Sequence, residues 1–217
     1  MNWLAHVFLS ENHIEHQLGN MLADPLKCRK WSGASRRIDA GIKTHIIIDN
    51  FTDSHPIVSK SKALLTPRGH LKGVVLDILY DYFLSKHWDK YCKLERQHFL
   101  DNFRFMAIDT IDNYPKNAQY VIHRVVASKQ LESYATIDGV IEAFKRIDNR
   151  LSTKSLAKDN CKRYIPLIKE KKEELEEMFL IFFPQLMQRV KESYHDKDIQ
   201  HWRSLAIKPY FAGISSV

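Results

Sequence analysis

The sequence predicts an all-α protein, a single compact helical domain, on three observations. Glycine and proline number only 7 each in 217 residues. That is too few breakers for an all-β chain, which must turn between many short strands. Apolar residues recur at helical spacing through long stretches of the chain. Hydrophobic residues make up 44% and aromatics 11%, enough apolar surface to close a core and too much for a disordered chain. The expected organisation is a helical domain over residues 1–195 and a loosely docked tail over 196–217, where SLAIKPYFAGISSV loses the helical period.

Taken in chain order, the opening MNWLAHVFLSENHIEH is apolar for about nine residues and lacks the basic start and cleavage site of a signal peptide. Ile38, Ile42, Ile46 and Ile48 predict a helix over 36–52. Thr52-Asp53-Ser54-His55-Pro56 reads as a helix stop followed by a cap and an early-turn proline, starting a helix that ends near Leu65 before Thr66-Pro67-Arg68-Gly69. Residues 70–90, HLKGVVLDILYDYFLSKHWDK, are apolar on nearly every side, the mark of a central buried helix. Further helices are expected at 95–113, 116–128, 137–151, 157–183 and 184–194, with Pro184 ending one and Pro166 starting or kinking one. The run KEKKEELEE at 169–177 carries opposite charges four apart and reads as a solvated helix face.

Charge and cysteine usage narrow the function classes. Lysine and arginine exceed the acids by 7, which suits an acidic partner. Cys28, Cys92 and Cys161 are odd in number and form no CxxC pair, so the expectation is buried, reduced thiols rather than a disulfide framework or zinc knuckle. The longest apolar runs are too short for a membrane span, and a cytoplasmic location is expected. No glycine-rich phosphate loop and no G-x-S-x-G elbow occurs, leaving P-loop and serine-hydrolase chemistry without a basis. Histidine is abundant, at 11 residues.

Several acids and histidines fall among apolar neighbours, where they are expensive unless paired or metal-bound. His45, Asp49 and Asp53 are spaced i, i+4, i+8 beside Ile46, Ile47, Ile48 and Phe51; Asp77 and Asp81 are spaced i, i+4 in the most apolar segment. A histidine and an aspartate one helical turn apart can offer a nitrogen and an oxygen to one divalent cation. Taken singly, Asp53 also reads as a cap, His6 as a satisfied core histidine, and Asp24, before Pro25, as a turn residue.

The motifs MNWLAH, GNMLAD, GIKTHIIIDNFTDSHP and LDILYDYFLSKHW, in this order, resemble the acyl carrier protein phosphodiesterase family. The resemblance continues more weakly through SKQLESYATIDGVIEAFKRIDNRLS and IFFPQLM, covering about residues 1–190. It implies an all-helical fold similar to a variant of the HD-type metal phosphohydrolases. It also implies hydrolysis of holo-acyl carrier protein, with release of 4′-phosphopantetheine, and a divalent metal, typically manganese, with magnesium as the alternative. Carried over residue by residue, it assigns His45, Asp49 and Asp77 to the metal, Asp24 to the metal or to orienting water, and His6 and His87 to supporting or acid roles. Asp53 and Asp81 stand behind these. Pro25 replaces a common aromatic, and Ile46 replaces a common arginine that would offer a phosphate contact.

A divalent ion suits this chemistry, because it neutralises a phosphodiester and activates a water, while a spare carboxylate or histidine moves the proton. Between residues 27 and 43, Lys27, Arg29, Lys30, Arg36, Arg37 and Lys43 face one acid, Asp39. Such a patch beside Asp24 would steer an acidic carrier protein. The alternatives are a metal phosphohydrolase acting on a nucleotide or other small phosphodiester, a non-catalytic basic helical module, and an inactive carrier-binding homologue. A nucleic-acid partner is disfavoured, since no recognition motif occurs and the acids in apolar helices would go unexplained.

Overall fold

A computed structural model describes residues 1–66 and 68–204 of the chain. Two short helices, α1 (Trp3–Phe8) and α2 (Ile14–Leu22), precede the first helix that periodicity predicts. That helix, α3 (Arg36–Ser54), starts where Ser35 Oγ accepts the Ile38 N–H at 3.2 Å. His55 ends it and caps α4 (Pro56–Leu65): its Nδ1 accepts the Ile57 N–H at 3.3 Å, and Pro56 fills the first helical position. The apolar segment becomes α5 (Lys72–Lys86), buried from Val75 through Leu84 apart from Asp77.

The chain continues through α6 (Trp88–Tyr91), α7 (Arg96–Asp109), α8 (Lys116–Ala127), α9 (Gln130–Ser133), α10 (Ile137–Asp148), α11 (Thr153–Lys158) and α12 (Ile165–Lys191). Among the described residues the regular elements are all helical; an isolated antiparallel bridge joins Cys92 to Trp202. No helix among them is long and apolar enough to cross a membrane.

Two expected boundaries fall elsewhere. Pro184 does not end a helix, because α12 runs through it. Phe179, Phe182 and Phe183 before the proline and Leu186, Met187 and Val190 after it are all buried. Each such side chain contributes ~1.5–3 kcal/mol on burial, more together than the ~3 kcal/mol a mid-helix proline costs. The helix expected from 157 is broken at Asp159, whose extended backbone lets its carboxylate accept the Leu71 N–H at 2.8 Å and the Tyr164 hydroxyl at 2.9 Å.

Helix α5 lies against α1, α4, α10 and α12, and α2 lies along α3. The expected tail begins with a short 3₁₀ turn, Asp196–Ile199, followed by buried His201 and Trp202. Their ring nitrogens stand 3.0 Å from the Phe8 carbonyl oxygen. Trp202 stacks on the Phe8 ring, so this segment seats the C-terminal end of α1. Residues 205–217 of the expected tail lie outside the described residues.

Candidate metal centre

Two glycines bring α2 and α3 into backbone contact. A β-carbon on Gly19 would overlap the Ile38 carbonyl, and one on Gly41 would overlap the His16 carbonyl. The close approach lets His45 Nδ1, on α3, donate to the Asn20 carbonyl on α2 at 2.9 Å. A backbone oxygen can only accept, so this bond fixes the ring and aims Nε2 outward.

The Asn20 side chain sets a second histidine. Asn20 is fully buried, and its Nδ2 donates to the His6 carbonyl at 2.9 Å and to Ser10 Oγ at 3.0 Å. The amide is thereby oriented with Oδ1 toward His6 Nδ1, 2.7 Å away. His6 must donate from Nδ1, and its Nε2 lies 3.2 Å from the Met1 carbonyl oxygen and 3.3 Å from an Asp49 carboxylate oxygen. One asparagine thus holds both imidazoles, whose rings stack at 4.1 Å between centroids and 18° between planes.

Helix α1 is held in place by Asp81. Its carboxylate accepts the Leu4 N–H at 2.8 Å and the Ala5 N–H at 3.1 Å, serving amides that the helix itself leaves unpaired. Burial pushes the Asp81 carboxyl up to about 7, against the two amide bonds. The carboxylate lies on α5, so the site's first histidine is positioned from the core helix.

Asp49, one turn after His45 on α3, meets both rings. Its Oδ2 lies 2.9 Å from His45 Nε2, and its Oδ1 lies 3.3 Å from His6 Nε2. Asp24, on the turn after α2, reaches His45 Nε2 at 3.2 Å with a largely exposed side chain. Burial opposes charge on His45, but Asp24 and Asp49 overcome it and raise the imidazole to about 9. Despite its own burial, Asp49 is held far below its ordinary value by His45 and His6. Burial lowers His6 against the pull of Asp49.

This arrangement fits a divalent cation. His6 Nε2 faces the Met1 carbonyl oxygen and Asp49 Oδ1, and Asp49 Oδ1 is buried without a hydrogen bond. A buried carboxylate oxygen without a hydrogen bond, beside ring nitrogens, suits a cation. Donors ~2.1 Å from an octahedral ion stand about 3 Å apart at right angles, close to the observed spacings. The donor atoms of His6, His45 and Asp49 all lie within 4.8 Å of one another. Positive charge already gathers there: the Met1 amino group stands 3.5 Å from Asp49 and 3.3 Å from Asp77.

The residues singled out in the sequence are placed as follows. His45, Asp49 and Asp24 come together, and His6 lies beside them, 3.3 Å from Asp49. Asp77 faces the cluster from α5 across the Met1 amino group. Asp81 is a buried support. Asp53 is exposed and paired with Lys62 at 3.0 Å, although α3 extends far enough to carry it. Eight residues beyond His45 place it ~12 Å along the helix. His87 sits ten residues beyond Asp77, ~15 Å along the same axis, and is engaged by Glu176 on α12.

In the basic stretch, Lys27, Arg29, Lys30, Arg36, Arg37 and Lys43 are all exposed. Lys30 and Lys43 both pair with Asp39. The charge of Arg37 acts on Glu11, His13 and His16, at the far end of α2 from Asp24. Sequence reasoning missed Asn20, although the motif GNMLAD contains it. Its signal was an amide one residue after a helix-contact glycine, four residues before a candidate acid.

Compared with known proteins, the chain matches the family described as acyl carrier protein phosphodiesterase over residues 1–186. It is 28% identical over 195 residues to the acyl carrier protein phosphodiesterase of Yersinia pestis, covering 88% of this chain and 98% of that one. The Yersinia enterocolitica protein of the same name is 26% identical over 196 residues, with the same shares covered. The Photorhabdus laumondii one is 36% identical over 91 residues, 42% of this chain and 46% of that one. No solved structure matches the chain.

Proposed function

The chain belongs to the acyl carrier protein phosphodiesterase family, and on that premise we propose that it hydrolyses the phosphodiester linking 4′-phosphopantetheine to the carrier serine. The products are 4′-phosphopantetheine and the apo-carrier. One observation carries the reading: ring nitrogens of His6 and His45 and a carboxylate oxygen of Asp49 lie within 4.8 Å of one another, beside the exposed carboxylate of Asp24.

His6, His45 and Asp49 would hold a divalent ion, with Asp24 and Asp77 at its flanks. The mixed nitrogen and oxygen set suits manganese, with magnesium as the alternative. When bound, such an ion neutralises phosphodiester charge and lowers the pKa of a coordinated water. Asp24 is within hydrogen-bond reach of His45 and open to solvent, so it is the group placed to orient water and take its proton. Asn20 keeps both Nδ1 protons occupied, which turns each Nε2 toward Asp49.

Around this centre, Ile46 stands exposed one turn before Asp49 where the family commonly has arginine, and Val74 stands exposed one turn before Asp77. They give the rim an apolar character suited to the pantetheine arm. Lys27, Arg29, Lys30 and Arg36 supply exposed positive charge on the loop and helix start that follow Asp24. An acidic carrier protein in the cytoplasm is the partner this charge fits.

The test is incubation of holo-acyl carrier protein with this protein and manganese, read by intact mass. Loss of the phosphopantetheine mass is expected, and the Asp49→Ala variant should leave the carrier intact. An unchanged carrier with the parent protein, alongside hydrolysis of a small phosphodiester, would reassign the substrate to the smaller class.

A further inference from the structure

After α2 the chain turns back on itself through two residues that rarely adopt this backbone. Lys27 and Cys28 have φ of 54° and 53°, a left-handed conformation uncommon for side chains of this kind. The Lys27 N–H donates to the Asp24 carbonyl at 2.9 Å and the Cys28 N–H to the Ala23 carbonyl at 2.7 Å. The sequence reading expected three buried thiols. Cys92 and Cys161 are buried, but Cys28 is exposed. Its Sγ, an Asp24 oxygen and a His45 nitrogen all lie within 4.8 Å of one another.

We propose that Asp24, Cys28 and His45 form a second, thiophilic metal site that takes zinc and excludes the ion held by His6, His45 and Asp49. Sulfur, nitrogen and oxygen from three side chains, with a fourth position open, are a zinc donor set. Thiolate selects softer dications over manganese and magnesium. On binding, the Cys28 S–H bond and the His45 Nε2–H bond break, both protons go to solvent, and sulfur–zinc and nitrogen–zinc bonds form. Without the ion, burial together with the Asp24 and Asp49 carboxylates holds the thiol above its ordinary value; a dication reverses that sign. One thiolate and one carboxylate balance the zinc charge.

Exclusion follows from His45. Its Nδ1 is bound to the Asn20 carbonyl, so Nε2 is its one free donor, with one lone pair. That lone pair points between Asp49 and Asp24 and can serve either set, not both at once. Zinc at this site therefore withdraws a ligand from the neighbouring centre and turns it off. This is a statement about metal binding and stands apart from the substrate assigned above.

The experiment uses metals alone. Cobalt, as a spectroscopic stand-in for zinc, should give a near-ultraviolet thiolate-to-metal charge-transfer band with the full chain, and zinc should bleach it. Cys28→Gly suits the positive φ, so the turn is kept. This variant should lose the band and bind zinc at least ~10-fold more weakly in chelator competition, with manganese affinity unchanged. Preloaded zinc should block manganese binding in the parent while the thiolate site is filled. An absent band, or equal zinc affinity in parent and variant, overturns the site. Simultaneous binding of zinc and manganese overturns the exclusion. If holo-carrier protein is never hydrolysed, the function fails while these titrations remain readable.

Discussion

Asn20→Ala removes one side chain and separates stability from metal binding. The variant loses the bonds to His6 Nδ1, the His6 carbonyl and Ser10 Oγ, all buried. At ~1 kcal/mol net for each hydrogen bond, the expected loss of stability is about 3 kcal/mol. For a domain of this size that is a fall in Tm of ~6–12 °C. The backbone oxygen that orients His45 remains, so half of the imidazole pair is untouched and serves as an internal control. His6 is then free to turn, and manganese affinity should fall ~10–100-fold, the usual effect of removing a ligand's orienting partner. Asn20→Asp restores the acceptor for His6 Nδ1 but neither donor. It should regain much of the metal affinity and little of the stability. Thermal melts and manganese titration on the three proteins read both quantities. If Asn20→Ala binds manganese as tightly as the parent, His6 is not a ligand oriented by Asn20, and the proposed centre is wrong.

Gly41→Ala should destabilise by several kcal/mol or push α2 from α3, because its methyl meets a backbone carbonyl that cannot turn aside; denaturant melts check this. Asp53→Ala should leave manganese affinity unchanged, since Asp53 pairs only with Lys62 among the described residues, whereas Asp49→Ala should abolish binding. The pH response of the metal-free protein follows from His45. Its folded pKa, about 9, exceeds the unfolded value of 6.5, so its stabilisation is complete below 6.5 and is lost as pH rises through about 9. The full effect is on the order of 3 kcal/mol. Manganese must displace that proton, so its apparent affinity should rise up to ~10-fold per pH unit until about 9; a flat profile refutes a protonated His45. Lys27→Glu with Arg29→Glu should lower kcat/KM on holo-carrier protein at low salt and leave kcat at saturation unchanged.

The fold was largely legible because most helices announce themselves through local rules. Ser35 before α3 and Pro56 at the head of α4 are short-range signals, read within a few residues. Pro184 was misread for the same reason. Proline breaks helices locally, but the aromatic face of α12 is buried against elements far away in sequence, and tertiary packing outweighs the local rule. The candidate site divides along the same line. His45 and Asp49 are one turn apart on a single helix, so periodicity alone puts them together. Asp53, eight residues from His45, is about 80° round the helix and falls on its exposed face, while Thr52 beside it stays buried.

The role of His6 was beyond any local rule. It sits on a helix of six residues, too short to be stable alone. Its ring points at Asp49 because three distant segments fix α1. Asp81, 77 residues from Leu4, serves its first amides. His201 and Trp202, more than 190 residues from Phe8, stand at its last carbonyl. Asn20 sets the ring itself. Asp81 therefore belongs to the site without touching it. Its carboxyl, pushed up to about 7, is held buried by two amides that would otherwise go unpaired. Asp81→Asn keeps one acceptor and introduces donors facing those amides. The expected result is a frayed α1, a mispointed His6 and weakened manganese binding, with His45 and Asp49 still in contact. Asp81→Ala should act the same way and more strongly. Metal affinity equal to the parent in both variants would mean that α1 is held by its C-terminal end alone.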